Sequence, residues 1–378
     1  MNLPVDLGVS ALPHETELET PLPGEMSWGV EAMGVLGTSL DGSGMTVAIL
    51  DTGIDAEHVA FEGVEVIEKD FTGDGNGDQH GHGTHCAGVI FGQEVDGVQI
   101  GMAQGIETAL IAKVLDESGN GESWSVVQAL HWATREGANV ASMGFQIRFS
   151  KYIEQLVEWG YPVEVATPFA MEAYQSTMDF YRKLIAYLRV WSDGLVVIAG
   201  AGNSNRRSEN VAWERPVTAP ASIDGVISVG ALYQAGADLE VAPFSNSGPQ
   251  VVAPGVEVCS AKADSGNLVS MSGTGVAASH VAGAALLWGQ ALNEARDFNS
   301  FILEIKIGNS GIVHPLSQDG RVLDVGVGLA QVPSDGAVVQ IHEQQSNFAK
   351  MDGYPFIATD SNTYEVDFQP DAWKRSKA

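Results

Sequence analysis

The sequence predicts an α/β fold built on a mostly parallel sheet, and three observations point there. Continuous β-prone apolar runs at residues 45–50 (M-T-V-A-I-L), 109–115 (A-L-I-A-K-V-L) and 195–199 (L-V-V-I-A) are the signature of strands buried on both faces. Helical patterns separate them, as a parallel sheet with crossover helices requires. A length of 378 residues with 44% apolar content can bury one large α/β core, with or without extensions.

Charge and composition exclude several classes. A formal net charge of −29 sets nucleic acid and anionic membrane aside as partners, because both would repel the chain. No apolar run reaches membrane-spanning length, and no basic leader with an apolar stretch opens the sequence. The expectation is an intracellular protein, or a secreted one whose leader is not part of this sequence. Cys86 and Cys259 are too few for a disulfide framework, leaving two thiols or one pair. No organic cofactor motif is read.

In chain order, residues 1–27 are Pro/Glu/Thr-rich without periodicity and read as an extended arm. The run at 45–50 ends in Asp51-Thr52-Gly53-Ile54-Asp55. A carboxylate at the carboxyl end of a parallel strand stands where open α/β sheets place their chemistry, although an Asp capping the next turn reads the same way. Asp74-Gly75-Asn76-Gly77-Asp78 alternates oxygens and glycines. It is either a Ca²⁺ loop using Asp74, Asn76 and Asp78 or a plain polar turn, and it lacks the EF-hand glycine and closing Glu. Residues 80–88 read H-G-H-G-T-H-C-A-G, where three close histidines admit a zinc reading.

Val127, Leu130 and Ala133 mark an amphipathic helix over 123–137 started by Ser123 or Ser125. Tyr174, Met178, Tyr181, Ile185 and Leu188 recur at helical spacing and predict a long helix. Thr167-Pro168 would open it and Ser192-Asp193-Gly194 close it, with a short helix over 153–159 packed on it. This 145–194 segment is either a lid or exosite or a core-filling helical pair. The strand at 195–199 leads to Gly200-Ala201-Gly202-Asn203, and a further strand covers 226–229. Residues 271–283, M-S-G-T-G-V-A-A-S-H-V-A-G, are a turn entering a small-residue helix. Short β-like stretches follow at 337–341 and 363–368 within a 334–378 extension.

Several of these segments resemble the subtilisin-like serine proteases (subtilases). Residues 271–283 match the family's G-T-S-M-A-[ST]-P-H-V-A-G at Gly273, Thr274, Ala277, His280, Val281, Ala282 and Gly283, and residues 82–88 match H-G-T-H-x-A-G. Gly200 to Asn203 resembles A-A-G-N, and the resemblance runs over residues 28–333. It implies a three-layer subtilisin-like α/β fold, with a central, mostly parallel sheet flanked by helices and a cis peptide at Ala219-Pro220. It also implies roles: His82 as base, Asp51 as its partner, Asn203 as oxyanion donor, and Gly275 where the nucleophilic serine is expected. Gly119, Asn120 and Gly121, with Ser142, Met143 and Gly144, would receive the substrate strand, and Gly200, Ala201 and Gly202 would line its pocket. Cys86 stands one turn past His82, as in cysteine-bearing subtilases. The implied partner is a polypeptide substrate or an inhibitory prosegment; in intracellular subtilases a short N-terminal arm lies across the site, which the first 26 residues resemble by position only, a disordered leader being the alternative. Glycine carries no attacking group. The expectation is therefore a serine endopeptidase in an inactive form, the alternative being a natural pseudoprotease that binds peptides or a protein partner without cutting.

Overall fold

Parallel pairing of the buried apolar runs generates the central sheet. A computed structural model describes residues 2–7, 26–190, 194–207, 214–236, 238–312 and 322–335. All of these fall within one unit of contacts, Met1–Val338. The first half of the chain forms β1 (Pro4–Asp6), α1 (Trp28–Ala32), β2 (Thr46–Asp51), β3 (Glu65–Asp70), α2 (His82–Phe91), β4 (Thr108–Lys113), β5 (Asn120–Glu122) and α3 (Ser123–Arg135). It continues through β6 (Val140–Met143), β7 (Gln146–Ile147), α4 (Phe149–Glu158), α5 (Val163–Leu188), β8 (Val196–Gly200) and β9 (Val226–Ala235). Then come β10 (Asp238–Val241), β11 (Val251–Pro254), β12 (Val258–Ala261), β13 (Leu268–Met271), α6 (Thr274–Glu294), α7 (Ser300–Asn309) and α8 (Val322–Val325).

The large sheet runs β10-β9-β8-β6-β2-β4-β3, with β11 also beside β9. Every pair in it is parallel except β10 on β9. Strand β2 lies centrally, between β4 and β6, so Asp51 at its carboxyl end emerges mid-sheet. Helices α2 and α6 pack together on one face, α6 reaching β6, β8, β9 and β11; α3 contacts β2, β4 and α5. The result is the three-layer subtilisin-like architecture. Helix α6 is buried along its length from Thr274 to Leu292, which its many Ala and Gly residues permit by letting backbones approach closely. The Ala219-Pro220 peptide is cis.

Two local expectations are corrected. The long helix begins at Val163, so Pro168 lies inside it rather than opening it. Proline there forfeits one intrahelical hydrogen bond near the start. Burial of Ala166 and Ala170 against Leu156 of α4 carries the helix across that gap. Helix α3 starts at Ser123, yet no side chain of its own caps it. Asn2 does so instead, its Oδ1 accepting from the Trp124 N–H at 2.9 Å. The buried stripe of α5 (Met178, Tyr181, Ile185, Leu188) joins the main core, and Tyr181 donates its hydroxyl proton to the Ser123 carbonyl at 2.6 Å. Residues 8–25, the proposed helix stop at 192–193, and the stretches at 337–341 and 363–368 lie outside the described residues.

Candidate active site

The strand end and a helix start converge on one ion pair. His82 is the first residue of α2, and its Nδ1 lies 2.8 Å from Asp51 Oδ1. Both side chains are buried, and the other Asp51 oxygen, Oδ2, has no hydrogen-bond partner. Burial opposes a charge on His82, but the Asp51 carboxylate and then the Cys86 thiol outweigh it and raise its pKa well above the usual histidine value.

Asp78 holds the helix start in place. Its Oδ1 accepts from Gly81 N–H at 2.8 Å and from the Thr52 hydroxyl at 2.8 Å. Its Oδ2 accepts from Thr84 N–H at 2.8 Å and from the Thr84 hydroxyl at 2.7 Å. Thr52 Oγ1 in turn accepts from Gly83 N–H at 2.9 Å. Open N–H groups of the first helical turn are thereby satisfied, and His82 is locked to the strand that carries Asp51. Gly81, the residue before the helix, has φ +91°, a region that suits glycine.

Asn203 follows β8 and is held by Thr274, the first residue of α6. Its Oδ1 accepts from both Thr274 N–H (2.8 Å) and the Thr274 hydroxyl (2.9 Å). Two donors on the oxygen leave the amide nitrogen to point outward, where it donates to the Leu7 carbonyl at 3.5 Å. Leu7 follows β1, which is the middle strand of a small sheet ordered β5-β1-β7. Val5 pairs with Gly121 and Ile147, and Asp6 with Asn120 and Gln146. The N-terminal segment thus occupies the groove in front of Asn203 as an added strand.

The subtilase family model matches residues 42–299. This chain belongs to the subtilase family. It is 31% identical to subtilisin DY of Bacillus licheniformis over 252 residues, 65% of this chain and 77% of that one. It is 33% identical over 253 residues to a subtilisin-like protease of Coccidioides posadasii, spanning about half (52%) of that relative's length. The crystal structure of a cold adapted subtilisin-like serine proteinase aligns with TM-score 0.56 at 25% identity, covering 79% of this chain and 92% of that one.

Membership sharpens one correction. The sequence places Gly275 where the family's nucleophile is expected and Cys86 one turn past His82 with no nucleophile's role. In this subtilase the nucleophilic group gathered with the pair is the Cys86 thiol: Asp51, His82 and Cys86 each bring an atom within 4.8 Å of the others. Gly275, second in α6, is not a simple vacated serine position. A Cβ there would stand 2.8 Å from the Gly144 carbonyl oxygen and 3.0 Å from Gly144 Cα, so backbone would have to move to admit a side chain. Ser279 donates to the Gly275 carbonyl at 3.1 Å, and Ser272 accepts from Glu257 N–H at 2.9 Å.

The other anticipated residues divide into two groups. Gly119, Asn120 and Gly121 border β1, whereas Ser142 and Met143 lie within β6 of the central sheet. The second rim of the strand is Gln146–Ile147 instead. Gly144 backs the ion pair, and Gly200 packs on the Thr274–Gly275 backbone. Gly202 donates its N–H to the Thr274 hydroxyl at 3.0 Å, and the Ala201 carbonyl accepts from Asn246 Nδ2 at 3.2 Å. Of the calcium trio, Asp78 is turned inward as described, while Asp74 and Asn76 are exposed. His85 donates its Nε2–H to the Val258 carbonyl at 2.9 Å, apart from the Asp51–His82–Cys86 group that offers mixed O, N and S donors to a metal. Thr52, Asp78 and Thr274 were missed as positioning residues. An Asp just before a helix start was the available sign for Asp78. Among the described residues no helix is long and apolar enough to cross a membrane.

Proposed function

We propose that this subtilase holds an extended polypeptide as a strand between β5 and β7, over the Asp51–His82–Cys86 group, and that the state described is inactive. The observation that carries the reading is β1 itself, a stretch of polypeptide paired on both sides, with the carbonyl of the next residue, Leu7, meeting Asn203. The occupant is the chain's own N-terminal segment, which acts as an inhibitory strand.

The thiol geometry supports inactivity. Cys86 Sγ is 3.8 Å from His82 Nδ1 and 3.9 Å from Nε2. A point nearly equidistant from the two ring nitrogens lies along the lone-pair direction of neither, so His82 is not aligned to take the thiol proton. The thiol is also buried, at 2% exposure.

Leu7→Asp tests the reading, because Leu7 is 7% exposed and a carboxylate there would not stay buried. The unmodified chain should leave a denatured polypeptide uncut and bind it weakly, while Leu7→Asp should bind it at least about tenfold more tightly. Hydrolysis by the unmodified chain, or release of the arm with no gain in binding, would overturn the proposal.

A further inference from the structure

Helix α4, at the head of the 145–194 segment, contributes to the groove. Arg148, immediately before it, donates its backbone N–H to the Pro4 carbonyl at 3.0 Å and sets its guanidinium 3.7 Å from Asp6 Oδ1. One turn on, Lys151 Nζ lies 3.9 Å from Asp6 Oδ2 and donates to Asn120 Oδ1 at 2.5 Å. The Asp6 side chain is only 14% exposed between them. Two cations thus converge on one carboxylate of the inserted strand, although the chain carries just 19 Lys and Arg against 48 Asp and Glu.

Resting on the cleft reading above, we propose that Arg148 and Lys151 form a carboxylate subsite. Through it the groove selects polypeptide segments with an acidic residue directly before a large apolar one. The apolar residue fills the place of Leu7, a member of the main core cluster that also contacts Gly119. The acidic residue fills the place of Asp6. A net charge of −29 repels acidic polypeptides at long range, so their acceptance depends on this local pair of cations. Arg148 grips the strand twice, by backbone to Pro4 and by side chain to Asp6. The helical segment therefore supplies side-chain reading that the small rim residues Gly119 and Gly121 cannot.

The test is hydrogen exchange on the full chain, following the Val5 and Leu7 amides with those of β2 and β4 as folding controls. Asp6→Lys should speed exchange at β1 about tenfold and Asp6→Asn by a few fold, with the controls unchanged. Adding Arg148→Glu and Lys151→Glu to Asp6→Lys should restore protection to within about twofold. A peptide Asn-Leu-Pro-Val-Asp-Leu titrated into the Asp6→Lys chain should bind about tenfold more tightly than its Asp→Asn version. If β1 is unprotected in the unmodified chain, the cleft reading itself fails. If β1 is protected but indifferent to the charge at position 6, or the charge swap does not restore it, the carboxylate subsite alone is overturned.

Discussion

Cys86 sits one helical turn beyond His82, with its sulfur 3.8 Å and 3.9 Å from the two nitrogens of that ring. Burial pulls the His82 pKa down, and Asp51 followed by Cys86 more than reverses this. Cys86→Ala should therefore lower the His82 pKa read from its Cε1–H resonance, and Asp51→Asn should lower it further. A His82 titration unmoved by Cys86→Ala would remove the thiol from the electrostatics of the site.

Acid should expose a second set of histidines. Burial drives His280 down to about 4 and His85 to about 3, and His80 shifts the same way. Such groups stay neutral when folded and take up protons on unfolding, so their contribution is full above the unfolded value near 6.5 and is lost as pH falls through the folded values. His82 does not mask this, because with its raised pKa it is charged in both states below pH 6.5. Glu304 does oppose it. Burial lifts its carboxyl to about 7 despite Arg189, so its contribution is largest in acid and is lost as pH rises. Glu304→Gln should uncover the histidine slope, with stability falling by roughly 3 kcal/mol or more from pH 6.5 to pH 4. A flat urea midpoint over that interval in Glu304→Gln would refute the assignment.

Asp78 separates capping from cation binding. Burial raises its pKa, but bonds from Thr84, Gly81 and Thr52 outweigh that and hold it below the usual carboxylate range. Asp78→Ala would leave two hydroxyls and three N–H groups without this acceptor, at a cost of about 3 kcal/mol. Thermal melting should drop accordingly, and added calcium should not restore it. A midpoint in the unmodified chain that falls with chelator would instead speak for a cation in the 74–78 loop.

The sheet was legible because strands buried on both faces declare themselves as unbroken apolar runs, and β2, β4 and β8 lie within one or two residues of where those runs stand. The positions of Asp51, His82 and Asn203 were legible for a related reason: Asp51 ends a buried strand, His82 starts a helix and Asn203 follows a buried strand, each in a motif of several fixed residues. What was not legible depends on contacts distant in sequence. Nothing local says that Asn2 caps α3, that Thr274 orients Asn203, or that Arg148 faces Asp6 across 142 positions. The Cys86 thiol was seen as a neighbour of His82, but only the geometry gathers it with Asp51. The start of α5 was misplaced because Thr167-Pro168 has the local form of a helix opening, whereas packing of Ala166 and Ala170 carries the helix back to Val163.

Gly144 offers the most direct mechanical test of the ion pair. A Cβ there would lie 2.6 Å from Asp51 Oδ2 and 2.8 Å from His82 Cε1, inside van der Waals contact with both partners. Gly144→Ala must therefore push one of them aside, and since both are buried the strain has no outlet to solvent. The expected cost is about 2 kcal/mol in stability, in the range of overpacked cores. Separation from Asp51 should at the same time bring the His82 titration down toward the ordinary histidine range. Gly266→Ala, where an added Cβ meets no atom within 4 Å, should change stability by less than about 0.5 kcal/mol and leave His82 untouched. If Gly144→Ala lost stability while His82 kept its raised pKa, the 2.8 Å contact would have survived the intrusion, and the pair would be held by the Asp78 and Thr52 network rather than by the close fit of Gly144.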